Sequence, residues 1–263
     1  MCGIFGFITK QPISMSKVFN VLQKLEASRY PYENQPVGGY GAGVAALLDD
    51  GNVFLEKVGK TSDSPAAQLA EIVKPQLKDA KVLLGHVRFP SGEFLATAAL
   101  KETAQPFIGE FESDLTVVSV HNGRLSNYRE LAERLKGHVF ESAKAGVVDS
   151  EIIPHLFGEI VNEGKDVGEA ADELFSSMKG KTVGSVALLQ LDSENALMHI
   201  LHKGWSRGLT VWANENGEVL FCSRPEPVLE ELKETLDKGK FKEKVVIAPR
   251  EDAGVRLSFC IPT

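Results

Sequence analysis

The chain has 263 residues, 43% hydrophobic and 25% charged, a balance that belongs to folded globular proteins and sets aside disorder, collagen-like repeats and low complexity. Acidic residues outnumber basic ones, 36 to 29, for a formal charge of −7 with no offsetting Lys/Arg cluster, so nucleic acid is not an expected partner. The longest apolar runs, such as 44–48 and 183–191, fall short of the ~20 residues a bilayer span needs, and no basic-then-apolar leader opens the sequence. Three cysteines (Cys2, Cys222 and Cys260) are too few for a disulfide framework and read as thiols in a reducing, cytoplasmic compartment.

The first ten residues, MCGIFGFITK, alternate apolar and small side chains and predict a buried strand. Met15, Val18, Phe19, Leu22 and Leu25 follow at helical spacing. Residues 28–43, rich in Pro, Gly, Asn and Tyr, predict a long loop. Strands are expected at 44–48 and 53–58, then a helix capped by Ser64 with Pro65 at its first position. A strand at 81–87 precedes an irregular stretch to about Gly109 and a further strand at 115–120. Asn127 is expected to cap a helix, with Glu130 completing a capping box. Asp149 or Ser150 opens another helix, in which Pro154 is tolerated because it lies in the first turn. A helix over 168–178, strand-like runs from 182 to 222, a helix at about 227–236 and strand-like ends at 244–247 and 255–261 complete the chain. Adjacent strands in such runs argue for a layered α+β domain rather than an alternating parallel sheet. With no linker and no internal repeat, residues 2–263 read as a single domain.

Several motif-like features fail. Gly180-Lys181-Thr182 lacks the glycine five positions earlier that a phosphate loop requires, since that position is Phe175. Glycines 38, 39, 41 and 43 precede a strand, not a helix, and suit turns. His199 and His202 have no partner at ligand spacing, so no metal and no cofactor are expected.

One constellation carries chemistry. Cys2 lies directly behind Met1, and removal of Met1 would leave a cysteine with a free α-amine as residue one. Such an amine has a pKa of about 7.7–8.0, so roughly a tenth of it is neutral at pH 7 and able to take the thiol proton. Nucleophile and base then share one residue. In Gly85-His86-Val87-Arg88-Phe89-Pro90-Ser91-Gly92 an arginine stands where a strand yields to a turn, suited to clamp a carboxylate or to form a surface ion pair. His121-Asn122-Gly123 follows an apolar strand, and an amide side chain beside a glycine N–H can aim two donors at one oxyanion. Asp149 stands where it can hold an ammonium group or cap a helix.

Taken together, MCGIFG, GHVRFPSG, Gln105-Pro106-Phe107, HNGRLSNYREL and DSEIIPHL occur in the order seen in class II glutamine amidotransferases, and the chain resembles their N-terminal-nucleophile glutaminase domains over residues 2 to about 225. GHVRFPSG is most similar to the domain of glutamine phosphoribosylpyrophosphate amidotransferase. The resemblance implies a four-layer αββα sandwich with two mainly antiparallel sheets. It implies Cys2 as nucleophile, Asn122 and the Gly123 N–H as oxyanion donors, Arg88 at the glutamine α-carboxylate, Asp149 at its α-ammonium, and the Gly123 carbonyl touching the substrate amine. Glutamine would be cleaved through a γ-glutamyl thioester, and the ammonia passed to an acceptor. No synthase portion is legible in 237–263, so either a separate synthase subunit receives the ammonia or the protein is a stand-alone amidohydrolase acting on glutamine or another γ-glutamyl compound. Two other readings stay open: a cysteine N-terminal amidohydrolase acting on a different γ-glutamyl or acyl amide, and a catalytically silent binding or regulatory homologue.

Overall fold

In the computed structural model, residues 2–194, 196–205, 208–247 and 254–261 are described. They fall into two compact units, Met1–Pro106 with Gly208–Ala248, and Phe107–Arg207 with Pro249–Thr263, where the sequence reading expects one domain.

The first unit is built on a seven-stranded sheet. Its strands are β1 (Gly3–Ser14), β2 (Gly41–Leu47), β3 (Val53–Gly59), β4 (Asp79–Val87), β9 (Leu209–Ala213), β10 (Val219–Cys222) and β11 (Lys242–Ile247). The order across it is β11-β9-β10-β1-β4-β2-β3, with antiparallel pairs throughout the described residues. Helix α1 (Met15–Ala27) turns its Met15, Val18, Phe19, Leu22 and Leu25 stripe inward, as the spacing predicts, and Ser14 caps it by accepting from the Lys17 N–H at 3.4 Å. Helix α2 (Pro65–Val73) starts as expected on Ser64, whose Oγ accepts from the Ala67 N–H at 3.1 Å. The buried Glu26 carboxylate of α1 takes the Ser64 hydroxyl and the Ala66 N–H, and burial raises its pKa. These helices join Phe5, Phe7, Leu83, Leu220 and Val228 in one core. Two short helices, α6 (Pro225–Glu231) and α7 (Lys233–Lys238), replace the single helix expected there, because the chain breaks at Leu232.

The second unit carries a five-stranded antiparallel sheet. Its strands are β5 (Phe107–Glu110), β6 (Thr116–Asn122), β7 (Gly184–Leu191), β8 (Ala196–Lys203) and β12 (Gly254–Cys260), ordered β12-β8-β7-β6-β5. Helices α3 (Tyr128–Arg134), α4 (Ile152–Asn162) and α5 (Val167–Ser177) belong to it. β5 was not foreseen, since four residues with a central glycine carry no readable period. The capping box at α3 does not form. Asn127 makes no cap bond; its Nδ2 donates to the Ser177 carbonyl and its Oδ1 accepts from the Lys179 N–H, both at 2.9 Å. His199 and His202 on β8 pair with hydroxyls of Ser258 and Ser185, each at 2.8 Å. The α+β class with two antiparallel sheets is the expected one. Among the described residues, no helix is long and apolar enough to cross a membrane.

Candidate functional site

In the first unit, β1 and β4 run antiparallel with Gly3 opposite Val87, which brings the start of the chain beside the end of β4. Cys2 is half-buried, and the Phe89 N–H donates to its Sγ at 3.4 Å while the thiol faces the Phe89 carbonyl at the same distance. Arg88 is 3% exposed, and its backbone is fixed on both sides: its N–H donates to the Gly41 carbonyl at 2.8 Å and its carbonyl accepts from the Tyr40 N–H at 3.0 Å. Its Nη1 donates to Thr103 Oγ1 at 2.5 Å, and that hydroxyl lies within reach of the Thr97 and Leu100 carbonyls. The guanidinium is thus buried and aimed by Thr103, which is not the environment of a surface ion pair. Thr103 escaped the sequence reading, because nothing in an irregular stretch links it to an arginine fifteen residues upstream. Arg88 and Cys2 are therefore brought to one segment, residues 88–89. The Met1 residue whose removal the chemistry needs lies outside the described residues.

The glycines ahead of β2 are divided in duty. Gly39 takes a positive φ of 98°, as turn use predicts. Gly43 sits within β2 instead, and a Cβ there would stand 2.1 Å from the Gln105 carbonyl oxygen.

In the second unit, Asn122 is the last residue of β6, paired with Ser185 of β7, and Gly123 follows it. Asn122 is 4% exposed, and its Nδ2 is buried with no acceptor among the described residues. An amide donor left unpaired out of water costs free energy, so its retention points to a partner of another kind. Gly123 is glycine for a stricter reason than substrate access. A Cβ there would lie 1.8 Å from the Val183 carbonyl oxygen and 2.6 Å from His121 Nε2. Gly123→Ala is therefore expected to lower stability by about 1–3 kcal/mol or more through overpacking, read as a fall in thermal midpoint with activity lost alongside.

Asp149 neither caps α4 nor lies on the surface. It is 6% exposed in a 3₁₀ turn, Asp149–Glu151, and its carboxylate accepts from the Leu125 and Ser150 N–H groups at 2.9 Å each. The 149–151 turn is thereby tied to the segment following Gly123. His121 makes the second tie, and its role was not read from the sequence. It is 1% exposed, with Nε2 2.6 Å from the Val183 carbonyl and Nδ1 2.8 Å from Ser150 Oγ. Burial pushes its pKa down, against the Asp149 charge and the Val183 carbonyl, so the neutral ring donates at Nε2 and accepts the serine proton at Nδ1. Asn122, Gly123 and Asp149 thus share one hydrogen-bonded frame. The structure assigns them to the second unit, and Cys2 and Arg88 to the first.

The remaining thiols differ. Cys222 is fully buried and burial pushes its pKa up to about 12, whereas Cys260 is exposed.

Comparison with known proteins places this frame. Residues 93–230 match the family described as glutamine amidotransferase domain, a stretch that contains Asn122, Gly123 and Asp149 and begins after Cys2 and Arg88. Glutamine–fructose-6-phosphate aminotransferase of Sulfolobus acidocaldarius is 27% identical over 188 residues, 68% of this chain and 27% of that protein. The Chlamydia trachomatis enzyme of the same name is 28% identical over 206 residues, 77% of this chain and 29% of that protein. The chain therefore spans under a third of the length of these curated relatives. Glutamine phosphoribosylpyrophosphate amidotransferase from B. subtilis superposes with a TM-score of 0.63 at 20% identity, covering 94% of this chain and 46% of that one. This likeness shows the N-terminal-nucleophile hydrolase fold expected from the sequence. With more than half of its 263 residues matched by the family, the chain belongs to the glutamine amidotransferase domain family.

Proposed function

We propose that the chain is a glutaminase that opens the side-chain amide of glutamine through a γ-glutamyl thioester on Cys2. The observation that carries this reading is the buried, unpaired Nδ2 of Asn122 next to the obligatory Gly123, a donor pair of the kind an oxyanion takes up. In the first step the thiol proton passes to the neutral α-amine of Cys2, exposed by loss of Met1, and sulfur attacks the amide carbon. The carbonyl oxygen becomes an oxyanion facing Asn122 Nδ2 and the Gly123 N–H. On collapse the amine returns its proton to the leaving nitrogen and ammonia departs. Water then cleaves the thioester, releasing glutamate and restoring the thiol.

Arg88 takes the α-carboxylate of the substrate, and Asp149 takes its α-ammonium with the Gly123 carbonyl. The buried, Thr103-anchored guanidinium and the buried carboxylate support these two roles. An acceptor on a synthase partner receives the ammonia, the counterpart of what the aminotransferase names of the relatives state for those proteins. Cysteines that form no disulfide among the described residues support a cytoplasmic setting.

A glutamine-analogue electrophile tests the reading. It should modify Cys2 alone in protein whose intact mass confirms loss of Met1, and a substrate panel should favour glutamine over apolar acyl amides. Absence of labelling, or preference for the acyl amides, overturns it. The carboxylate role has its own test. Arg88→Lys keeps the charge and loses the planar fork, and a contact present in ground and transition states alike should register mainly in KM. We expect KM to rise about tenfold or more with kcat changed much less.

A further inference from the structure

In the first unit, the segment that carries Arg88 and meets Cys2 lies just past the end of β4. Backbone bonds follow it as far as Arg88, whose N–H donates to the Gly41 carbonyl at 2.8 Å and whose carbonyl accepts from the Tyr40 N–H at 3.0 Å. Phe89, one residue on, turns its N–H and its carbonyl to the Cys2 sulfur, at 3.4 Å each. A thiol is a weak donor and a weak acceptor, so these contacts place the sulfur only as well as Phe89 is itself placed.

Its ring supplies the missing support. The rings of Tyr40 and Phe89 meet edge-on, with 5.0 Å between centroids and 69° between planes, a favoured aromatic arrangement. Lys60 engages the same tyrosine, its Nζ lying 4.5 Å from the ring centroid, and the Lys60 N–H is tied to the Ala98 carbonyl at 2.8 Å. The chain leading into Tyr40 is pinned as well. The Val37 N–H donates to the Ser28 carbonyl and the Gly38 N–H to the Glu26 carbonyl, both at 3.0 Å, where α1 ends. The half-buried Tyr40 is thus a fixed post with two arms, a backbone arm to Arg88 and a ring arm to Phe89. Its hydroxyl takes no part in either.

We propose that Tyr40 is a positioning residue for the nucleophile, holding Arg88 through its backbone and Phe89 through its ring, so that the carboxylate clamp and the Cys2 sulfur keep one register. The proposal rests on the glutaminase reading and deepens it; Tyr40 acts through Phe89, without contact to the reacting atoms. Loss of the ring should leave substrate binding in place, because Arg88 keeps its bond to Thr103 and both of its backbone bonds. Sulfur placement should suffer, and a misplacement of about 1 Å at a reacting atom can cost about 10²-fold in rate.

The test labels Cys2 of the full chain, Met1 removed, with two probes in parallel. Iodoacetamide needs only the thiol, whereas a diazoketone analogue of glutamine needs thiol and clamp in register. In Tyr40→Ala the ratio of diazoketone to iodoacetamide rate constants should fall about tenfold or more, and kcat per labelled site with it, while KM stays within about twofold. Tyr40→Phe keeps the ring and should restore the ratio and kcat. Tyr40→Leu keeps apolar bulk without a ring; it should match the alanine variant, and it replaces that variant in the test if alanine prevents folding. An unchanged ratio in the ringless variants, a phenylalanine variant as impaired as they are, or a KM that rises in step with the loss of kcat would each overturn the positioning role. Labelling of the unaltered chain by iodoacetamide but never by the diazoketone would instead overturn the glutaminase reading, and this proposal with it.

Discussion

Replacing Cys2 by alanine should abolish glutamine hydrolysis, with kcat falling by about 10⁶-fold, the scale seen when a catalytic nucleophile is deleted while the remaining machinery stays. The fold should be untouched, because Cys2 is only half-buried and the two contacts its sulfur makes to Phe89 are long ones of 3.4 Å. A stability change within about 1 kcal/mol is expected. The pH profile of the unaltered enzyme supplies an independent check. If the α-amine is the base, it must be neutral to accept the thiol proton, so kcat/KM should climb through about pH 7.7–8.0 and level off above that range. Adding one residue ahead of Cys2 turns that amine into an amide and should remove activity as thoroughly as Cys2→Ala, though the thiol remains. Turnover near the original level in either variant would place the nucleophile elsewhere.

Much of the frame holding these groups was legible in the sequence, for identifiable reasons. Helix α1 has a regular apolar stripe and a serine cap, and α2 has Ser64-Pro65, so local chemistry and burial agree. β7 is an eight-residue, mostly apolar run buried on both faces, and β9 and β10 are short but wholly buried, a signal hard to mistake. Failures cluster where tertiary contacts outweigh local preference. Asn127 has the composition of a cap, yet its amide is drawn to Ser177 and Lys179, some fifty residues away. β1 runs on to Ser14 across a register break between Ile8 and Ile13, where the Lys10 N–H donates to the Glu218 carboxylate at 2.7 Å and Thr9 Oγ1 to the Lys81 carbonyl at 3.4 Å, contacts that need no apolar face.

The candidate site shows the same division. Asn122, Gly123, Arg88 and Asp149 were legible as residue types next to predicted turns. Their supports were not: Thr103 under Arg88, and His121 with Ser150 behind Asn122 and Gly123, are joined only by folding. Even Gly123 was named for one reason and is held by another, the Val183 carbonyl that leaves no room for a Cβ. Sequence patterns report which groups a reaction needs. The hydrogen bonds that aim those groups run between distant segments and leave no local trace.

Asn122→Ala separates chemistry from architecture more sharply than any substitution in that supporting set. The side chain is 4% exposed, yet its Nδ2 gives no hydrogen bond to the described residues, so truncation removes an unpaired donor along with a few packing contacts. Those two effects oppose each other, and the thermal midpoint should stay within the shift of about 1 kcal/mol. Turnover should fall by about 10²–10³, the usual cost of one oxyanion donor, and it should fall in kcat, because the donor meets full charge only in the transition state. Asn122→Asp sharpens the contrast: the shape is kept, but a donor becomes an acceptor bearing negative charge where the substrate oxygen turns negative. Its loss of kcat should exceed that of the alanine variant. Equal activity in Asn122→Asp and the unaltered enzyme would mean that no oxyanion forms at this amide, and the reaction would have to be sought at other donors.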